Sequence, residues 1–260
     1  MPRNGFAFAG RLHNITKGIK MKIRVFICAL LVGTLAMADE LLSETAKTYE
    51  WMGKPGYSVK MMSPELGLLV SQTIQAKAQQ MGMPMANLKI SHFELKSEAG
   101  GLSAKVGLDI PDERTRTQME ANLNQMITTM GFSKVMAESS IGAIVKIAEH
   151  IKNHADSFTQ TEESTEQVAQ YSCADPSMLL LGTQKVSKIL INVNKQYKII
   201  PAIRFDFSDG TAILIQFAHN VIEGKTCPVR MVMRHTLKQA PNGVKLPAAV
   251  SAFFDGYKFQ

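Results

Sequence analysis

Three sets of side chains in this 260-residue sequence have the types and spacing that chemistry needs. His150 and His154 stand four apart, which on a helix puts two imidazoles on one face where they could share a metal ion. Two ligands fall short of the three or four that a zinc site uses, and histidines in a last helical turn also suit the negative end of the helix dipole. Met81, Met83 and Met85, with Met61 and Met62 upstream, concentrate soft thioethers of the kind that select Cu(I). Met119, Met126 and Met130 recur at helical core spacing, however, so this chain also uses methionine as a general packing residue. These five residues, Met81, Met83, Met85, His150 and His154, are the metal candidates; core packing or cavity lining is the preferred reading of the methionines, and ordinary helix-end surface that of the histidines. The third set is the cysteine pair Cys173 and Cys227.

No serine nucleophile elbow, phosphate-binding glycine loop, HExxH helix or calcium loop occurs. The expectation is a protein that is not an enzyme and that calls for no cofactor.

Residues 21–38 combine a short basic start, an apolar run of about a dozen residues and Ala36-Met-Ala38 ahead of Asp39-Glu40. That is the pattern of a bacterial secretory signal with cleavage after Ala38, and Met21 competes with Met1 as the start. The run is short for a membrane span. The predicted location is the periplasm or the exterior, with 1–38 as leader and 39–260 as a single α+β domain. The leader carries six of the 29 basic side chains and none of the 22 acidic ones, so the net charge falls from +7 to +1 without it. A mature domain so balanced lacks the basic footprint of a nucleic-acid binder. Export also places Cys173 and Cys227 where thiols oxidise, and a disulfide is expected between them. In the chain-entropy model, closing a loop of about 53 residues contributes roughly 4 kcal/mol.

The elements that would position these groups begin with helices. Ser63-Pro-Glu65 is a helix start, and Leu66, Leu69, Val70 and Ile74 share the face that follows. Residues 88–96 and 102–110 form a hairpin about Gly100-Gly101, with a bulge near His92. A helical segment spans 112–153. Its first helix carries the stripe Met119, Leu123, Met126, Ile127 and Met130 up to Gly131, and its second, from about 133, carries Ile141, Ile144, Val145, Ala148 and Ile151. Residues 158–171 are a polar strand or pair of strands, and 177–193 are read as a helix with an extended end.

The last third alternates at period two. Ile203, Phe205 and Phe207 precede an Asp209-Gly210 turn, and Ile213, Ile215 and Phe217 follow it. Val229, Met231 and Met233 continue the habit, Pro241-Asn-Gly243 turns the chain, and residues 244–259 return. The fold class expected is α+β, a curved antiparallel sheet with a C-terminal meander packed against amphipathic helices.

Cys227-Pro-Val-Arg-Met-Val-Met-Arg-His235, Pro241-Asn-Gly-Val-Lys-Leu-Pro247 and the strand from Ala248 that ends Asp255-Gly-Tyr-Lys-Phe259 resemble the closing strands of the periplasmic lipoprotein-carrier superfamily. The resemblance covers about a third of the chain. It implies an incomplete barrel whose apolar hollow takes acyl chains, with residues 112–153 as lid and the methionine stripe as its underside. No functional residue of the family is matched, and none is carried over.

The function expected is therefore an exported envelope protein holding a lipid or acyl chain between sheet and helices. Its lining candidates are Met119, Leu123, Met126, Ile127, Met130, Phe205, Phe207, Ile213, Ile215 and Phe217. The alternatives are an envelope protein that binds another protein and no small ligand, or a methionine-rich copper protein.

Overall fold

The computed structural model describes residues 40–80, 88–173, 180–181, 184–236 and 247–260. The leader, Met81, Met83, Met85 and the turn at 241–243 lie outside these residues. Two compact units divide at Leu41, and the account below concerns residues 42–260.

Helical residues 42–48 (α1) and a 3₁₀ turn at Glu50–Gly53 lead into β1 (Tyr57–Met62) and α2 (Pro64–Gln80). The hairpin of β2 (Ile90–Glu98) and β3 (Gly101–Leu108) follows. Next come α3 (Glu113–Thr129), α4 (Phe132–Glu138) and α5 (Ile141–His154). The rest is strand: β4 (Phe158–Gln160), β5 (Val168–Cys173), β6 (Leu180–Leu181), β7 (Gln184–Asn194), β8 (Ile199–Phe207), β9 (Ala212–Ile222), β10 (Lys225–His235) and β11 (Ala249–Phe259). The expected α+β class is observed.

Ten strands pair antiparallel in the order β3-β2-β1-β11-β10-β9-β8-β7-β5-β4, and β6 pairs only with β7. Register places one apolar face across them all. Val106, Phe93, Met61 and Phe254 stand side by side on β3, β2, β1 and β11. Tyr171, Ile191, Ile203, Ile215, Met233 and Val250 make a second row from β5 to β11. Alternate side chains share a face, so the period-two pattern of each strand adds to one continuous core.

The sheet is rolled. Gly142, at the start of α5, packs against the side chain of Leu102 on β3, and His150, two turns later, lies against Cys173 on β5 and Phe158 on β4. Laid flat, eight strand spacings from β3 to β5 would span roughly 38 Å. Eight helical residues rise only about 12 Å. One short helix therefore touches both outer regions because the sheet curls around it. Ile141, Ile144 and Ile147 are fully buried and Ile151 is 1% exposed, so α5 fills the interior.

Several expectations are corrected. Residues 133–153 are not one helix: Ser139-Ser140 interrupts it, and Ser140 donates its hydroxyl to the Ala137 carbonyl at 3.0 Å. Residues 184–194 are one strand, where a helix with only an extended end was expected. A bulge between Val186 and Lys188 puts Val186 and Ile189 on one face, which imitates helical i, i+3 spacing. β1 was not anticipated, although Tyr57, Val59 and Met61 alternate into the core. The bulge near His92 is present, between Ile90 and His92. The Asp209-Gly210 turn is present too, with Gly210 at φ +78° and Asp209 accepting from the Thr211 amide at 2.9 Å.

The expected Cys173–Cys227 disulfide is absent, and both thiols are free and buried. Cys173 is on β5 and Cys227 on β10, with β7, β8 and β9 between them. Register separates them further, since Cys173 is level with Ile189, Phe205, Ile213 and His235, eight residues along β10 from Cys227 and roughly 26 Å away, far beyond the 4.4–6.8 Å between Cα atoms that a bridge tolerates. Sequence supplies a matched pair and a compartment, but the topology keeps the partners apart.

The exposed edge of β3 is closed by helix side chains. Ala104 donates its amide to Ser133 Oγ at 3.1 Å and accepts from that hydroxyl at 2.6 Å. Val106 donates to Asn124 Oδ1 at 2.6 Å and accepts from Asn124 Nδ2 at 3.2 Å. Leu108 donates to Glu120 Oε1 at 2.8 Å. Residues four apart on α3 are spaced about 6 Å, close to the two-residue repeat of a strand, so Glu120 and Asn124 fall opposite Leu108 and Val106. Asp112 caps α3 by accepting from the Thr115 amide, and Gly131, at φ +74°, turns the chain into α4 so that Ser133 reaches Ala104.

Candidate ligand-binding interior

The interior is bounded by the apolar face of the sheet and by α5. Phe205, Phe207, Ile215 and Phe217 all belong to this face and are buried, while Ile213, opposite Phe205, is half-buried. Leu123 and Ile127 of α3 are buried, and Met119, Met126 and Met130 are half-buried. These two groups of lining candidates do not form one wall. α3 is fastened to β3, whereas β9 and β8 are the fifth and sixth strands along from it. The helix within the sheet is α5, whose Ile144, Ile147 and Ile151 are buried. Their signal was present in sequence as the apolar stripe of 141–151, but the pattern does not tell an inner helix from an outer one.

Side chains on this face are packed. Ile203, Ile215, Ile144 and Ile147 expose no surface, so no water-sized gap adjoins them. Open volume lies at the border, where a groove of about 550 Å³ runs between the β2–β3 turn and α4–α5. Small-molecule sites commonly measure about 300–1,000 Å³. Met52, Leu102 and Val145 supply its apolar part. Its charged side chains are Glu98, Glu138, Glu149, Lys134 and Lys146, with Glu138 accepting from Lys146 at 3.0 Å and paired with Lys134 at 3.8 Å.

Some polar groups that reach the interior meet one another, while Trp51 Nε1, the Tyr57 hydroxyl and His219 Nδ1 are buried without a partner among the described residues. Tyr49 on the loop after α1 accepts from the Ile200 amide at 2.8 Å and lies 3.0 Å from His219 Nε2. This wedge ties the N-terminal segment to β8 and β9. Burial lowers the His219 pKa to about 4, and its Nδ1 is buried without a partner. His150 Nε2 is 3.4 Å from both Cys173 Sγ and Ser157 Oγ. At the far end of β1 and β11, Trp51 meets Tyr57 and Phe259 edge-on at 5.1 and 5.2 Å between centroids, and Lys225 Nζ sits 4.0 Å above Phe259. Desolvation there pushes the Cys227 thiol up to about 11. That thiol is protonated and is no nucleophile at neutral pH.

The His150 and His154 rings are 5.2 Å apart, but among the described residues no three His, Cys, Asp or Glu side chains are placed to hold a metal ion. Met61 is buried in the core and Met62 points to the opposite face, so they do not converge. No helix among the described residues is long and apolar enough to cross a membrane.

No family model matches the sequence, and no curated protein matches it closely. Solved structures similar to the chain over most of its length include a DUF1329 family protein from Desulfovibrio piger, 8% identical, covering 86% of this chain and 92% of that one, with a TM-score of 0.41, and two more. One is a LolA superfamily protein from Nitrosomonas europaea, 11% identical, covering 86% of this chain and 93% of that one, with a TM-score of 0.37. The other is a domain described as outer membrane lipoprotein-sorting from Vibrio parahaemolyticus, 10% identical, covering 85% and 92%, with a TM-score of 0.40.

Proposed function

We propose that this chain is an exported carrier, cleaved near Ala38 to leave residues 39–260 as one periplasmic domain, which holds a lipid or acyl chain in the trough of its rolled sheet. The observation that carries the reading is the position of α5. An apolar helix occupies the interior of an open sheet, and Ser139-Ser140 breaks its continuity with α4. Withdrawal of α5 would uncover apolar side chains of both β1–β3 and β7–β11, a surface that an acyl chain matches at about 0.8 kcal/mol per buried methylene. The groove beside Val145 and Leu102 is where a chain would enter, with the Glu138, Lys134 and Lys146 charges at its rim for a polar headgroup.

The test is native mass spectrometry and lipid extraction of protein purified from the periplasm, with titration of a fluorescent fatty acid. Stoichiometric acyl species are expected, and Ile147→Lys should abolish uptake. A clean apo mass with no fatty-acid binding would end the carrier reading.

One observation favours a second reading, an envelope protein that binds another protein. Met62 and Phe253 are cross-strand neighbours on the outer face, 40% and 47% exposed, with the Arg230 guanidinium 5.4 Å from the Phe253 ring. Crosslinking through Phe253 would identify such a partner.

A further inference from the structure

We infer that the groove between the β2–β3 turn and α4–α5 selects the head of a zwitterionic aminophospholipid, with the phosphate at Lys134 and Lys146 and a primary ammonium at Glu149. The inference rests on the carrier reading and adds to it the class of lipid carried.

α5 has a face for the groove as well as one for the interior. Gly142, Val145, Lys146 and Glu149 recur at i, i+3, i+4 and i+7, and all four line the groove. Ile141, Ile144, Ile147 and Ile151 are buried in the interior instead. On the groove side, Met52, Leu102 and Val145 offer apolar contact beside the charged groups.

Those charges form two poles. Lys134 and Lys146 share the single carboxylate of Glu138, at 3.8 and 3.0 Å, so one positive charge is left uncompensated there. Glu98 is balanced from outside the groove by Lys96 at 2.9 Å. Glu149 has no ion-pair partner among the described residues, and it supplies one negative charge. Lys146 and Glu149 lie three apart on the helix, which sets their Cβ atoms about 5–6 Å from each other. Because Lys146 turns to Glu138, the poles stay separate. Glu149 also stays uncovered: its Oε1 is 3.4 Å from the point that a Cβ on Gly53 would occupy, and glycine leaves that space open.

The poles distinguish one head from another. An ethanolamine head brings an anion for the lysines and, across a short ethylene arm, an ammonium whose N–H groups donate to the carboxylate. A choline head brings the cation without an N–H. A glycerol head brings the anion alone and leaves Glu149 facing no cation.

The test displaces a bound fluorescent fatty acid from the purified protein with dihexanoyl phosphatidylethanolamine, phosphatidylcholine or phosphatidylglycerol, each below its micelle concentration. The ethanolamine lipid should bind about fivefold more tightly than the glycerol lipid, the effect of one exposed ion pair at the upper end of its range. Glu149→Gln should remove the preference and Glu149→Lys should turn it towards the glycerol lipid; Glu149 is exposed, so neither change disturbs the core. Equal affinity for the ethanolamine and glycerol lipids, or a preference that survives Glu149→Gln, would overturn the inference and leave the carrier reading standing. Choline binding as tight as ethanolamine would overturn the primary ammonium. If no fatty acid binds, the carrier reading fails, and the head is tested without its chains. Glycerophosphoethanolamine should then shift the amide resonances of Gly53, Val145 and Glu149 in the unaltered protein and not in Glu149→Gln, and an absence of shifts would overturn the inference as well.

Discussion

His219 is a base held neutral by its surroundings. Its ring lies against Tyr49 and Phe217, where desolvation opposes the imidazolium and lowers its pKa from 6.5 to about 4. The unfolded chain therefore binds a proton that the folded one refuses, so stability is complete above pH 6.5 and is lost as the pH falls toward 4. The cost amounts to ~3 kcal/mol at full protonation. Denaturant titrations at pH 7 and pH 4.5 should show the loss, and His219→Gln should flatten it; an unchanged slope in the variant would place the acid sensitivity elsewhere. Cys173 and Cys227 give a second residue-scale prediction. Neither thiol should react with a maleimide in the native protein, and both should react once it is unfolded without reductant. A chain with no reactive thiol in denaturant would contain the bridge that the topology excludes.

At the scale of the elements, the junction of α4 and α5 decides how deep the inner helix sits. A Cβ on Gly142 would meet the Ala137 carbonyl oxygen at 2.4 Å, a backbone atom that cannot step aside without moving α4. Gly142→Ala should therefore destabilise the fold by about 1–3 kcal/mol, measured by chemical denaturation, although alanine is the better helix former. A neutral result would show that α4 and α5 shift freely against each other. The junction also marks where sequence reading stopped. The strands of the last third were legible because Ile203, Phe205, Phe207, Ile215 and Phe217 alternate without interruption. Residues 184–188 were not, because a bulge converts a strand's spacing into a helix's, and only the extended end of 184–194 was read. The helical stripes were legible as stripes, yet α3 went to the sheet's edge and α5 to its interior. α3 has few large apolar side chains and carries amide and carboxylate groups that can serve backbone, whereas α5 offers isoleucine on its inward face. That difference was available in the sequence and was outweighed by the regularity of the methionine stripe. The Tyr49–His219 wedge joins residues 170 positions apart, and no local pattern announces it.

Across the described strands of residues 42–260 the sheet is a meander except where β7 skips the short β6 to pair with β5 and at one long-range seam. Strands β7 to β11 each pair with their neighbour in sequence, as do β2 and β3, while β1 pairs with β11. Met61 and Phe254 face each other there, with nearly the whole domain between them in sequence. A chain ending before Ala249 should lack a cooperative unfolding transition, because its two groups of strands would have no shared edge; a sharp transition in that truncation would show that one group folds alone.

The same seam sets a timetable. Long-range pairing is slow to form, and here it waits on residues 249–259, which are made after every other strand. Until they arrive, β1 has one partner where it needs two, and β1–β3 share no edge with β10. A polypeptide of this design stays unfinished while it is being synthesised or threaded through a narrow passage, and it assembles its core in one late event.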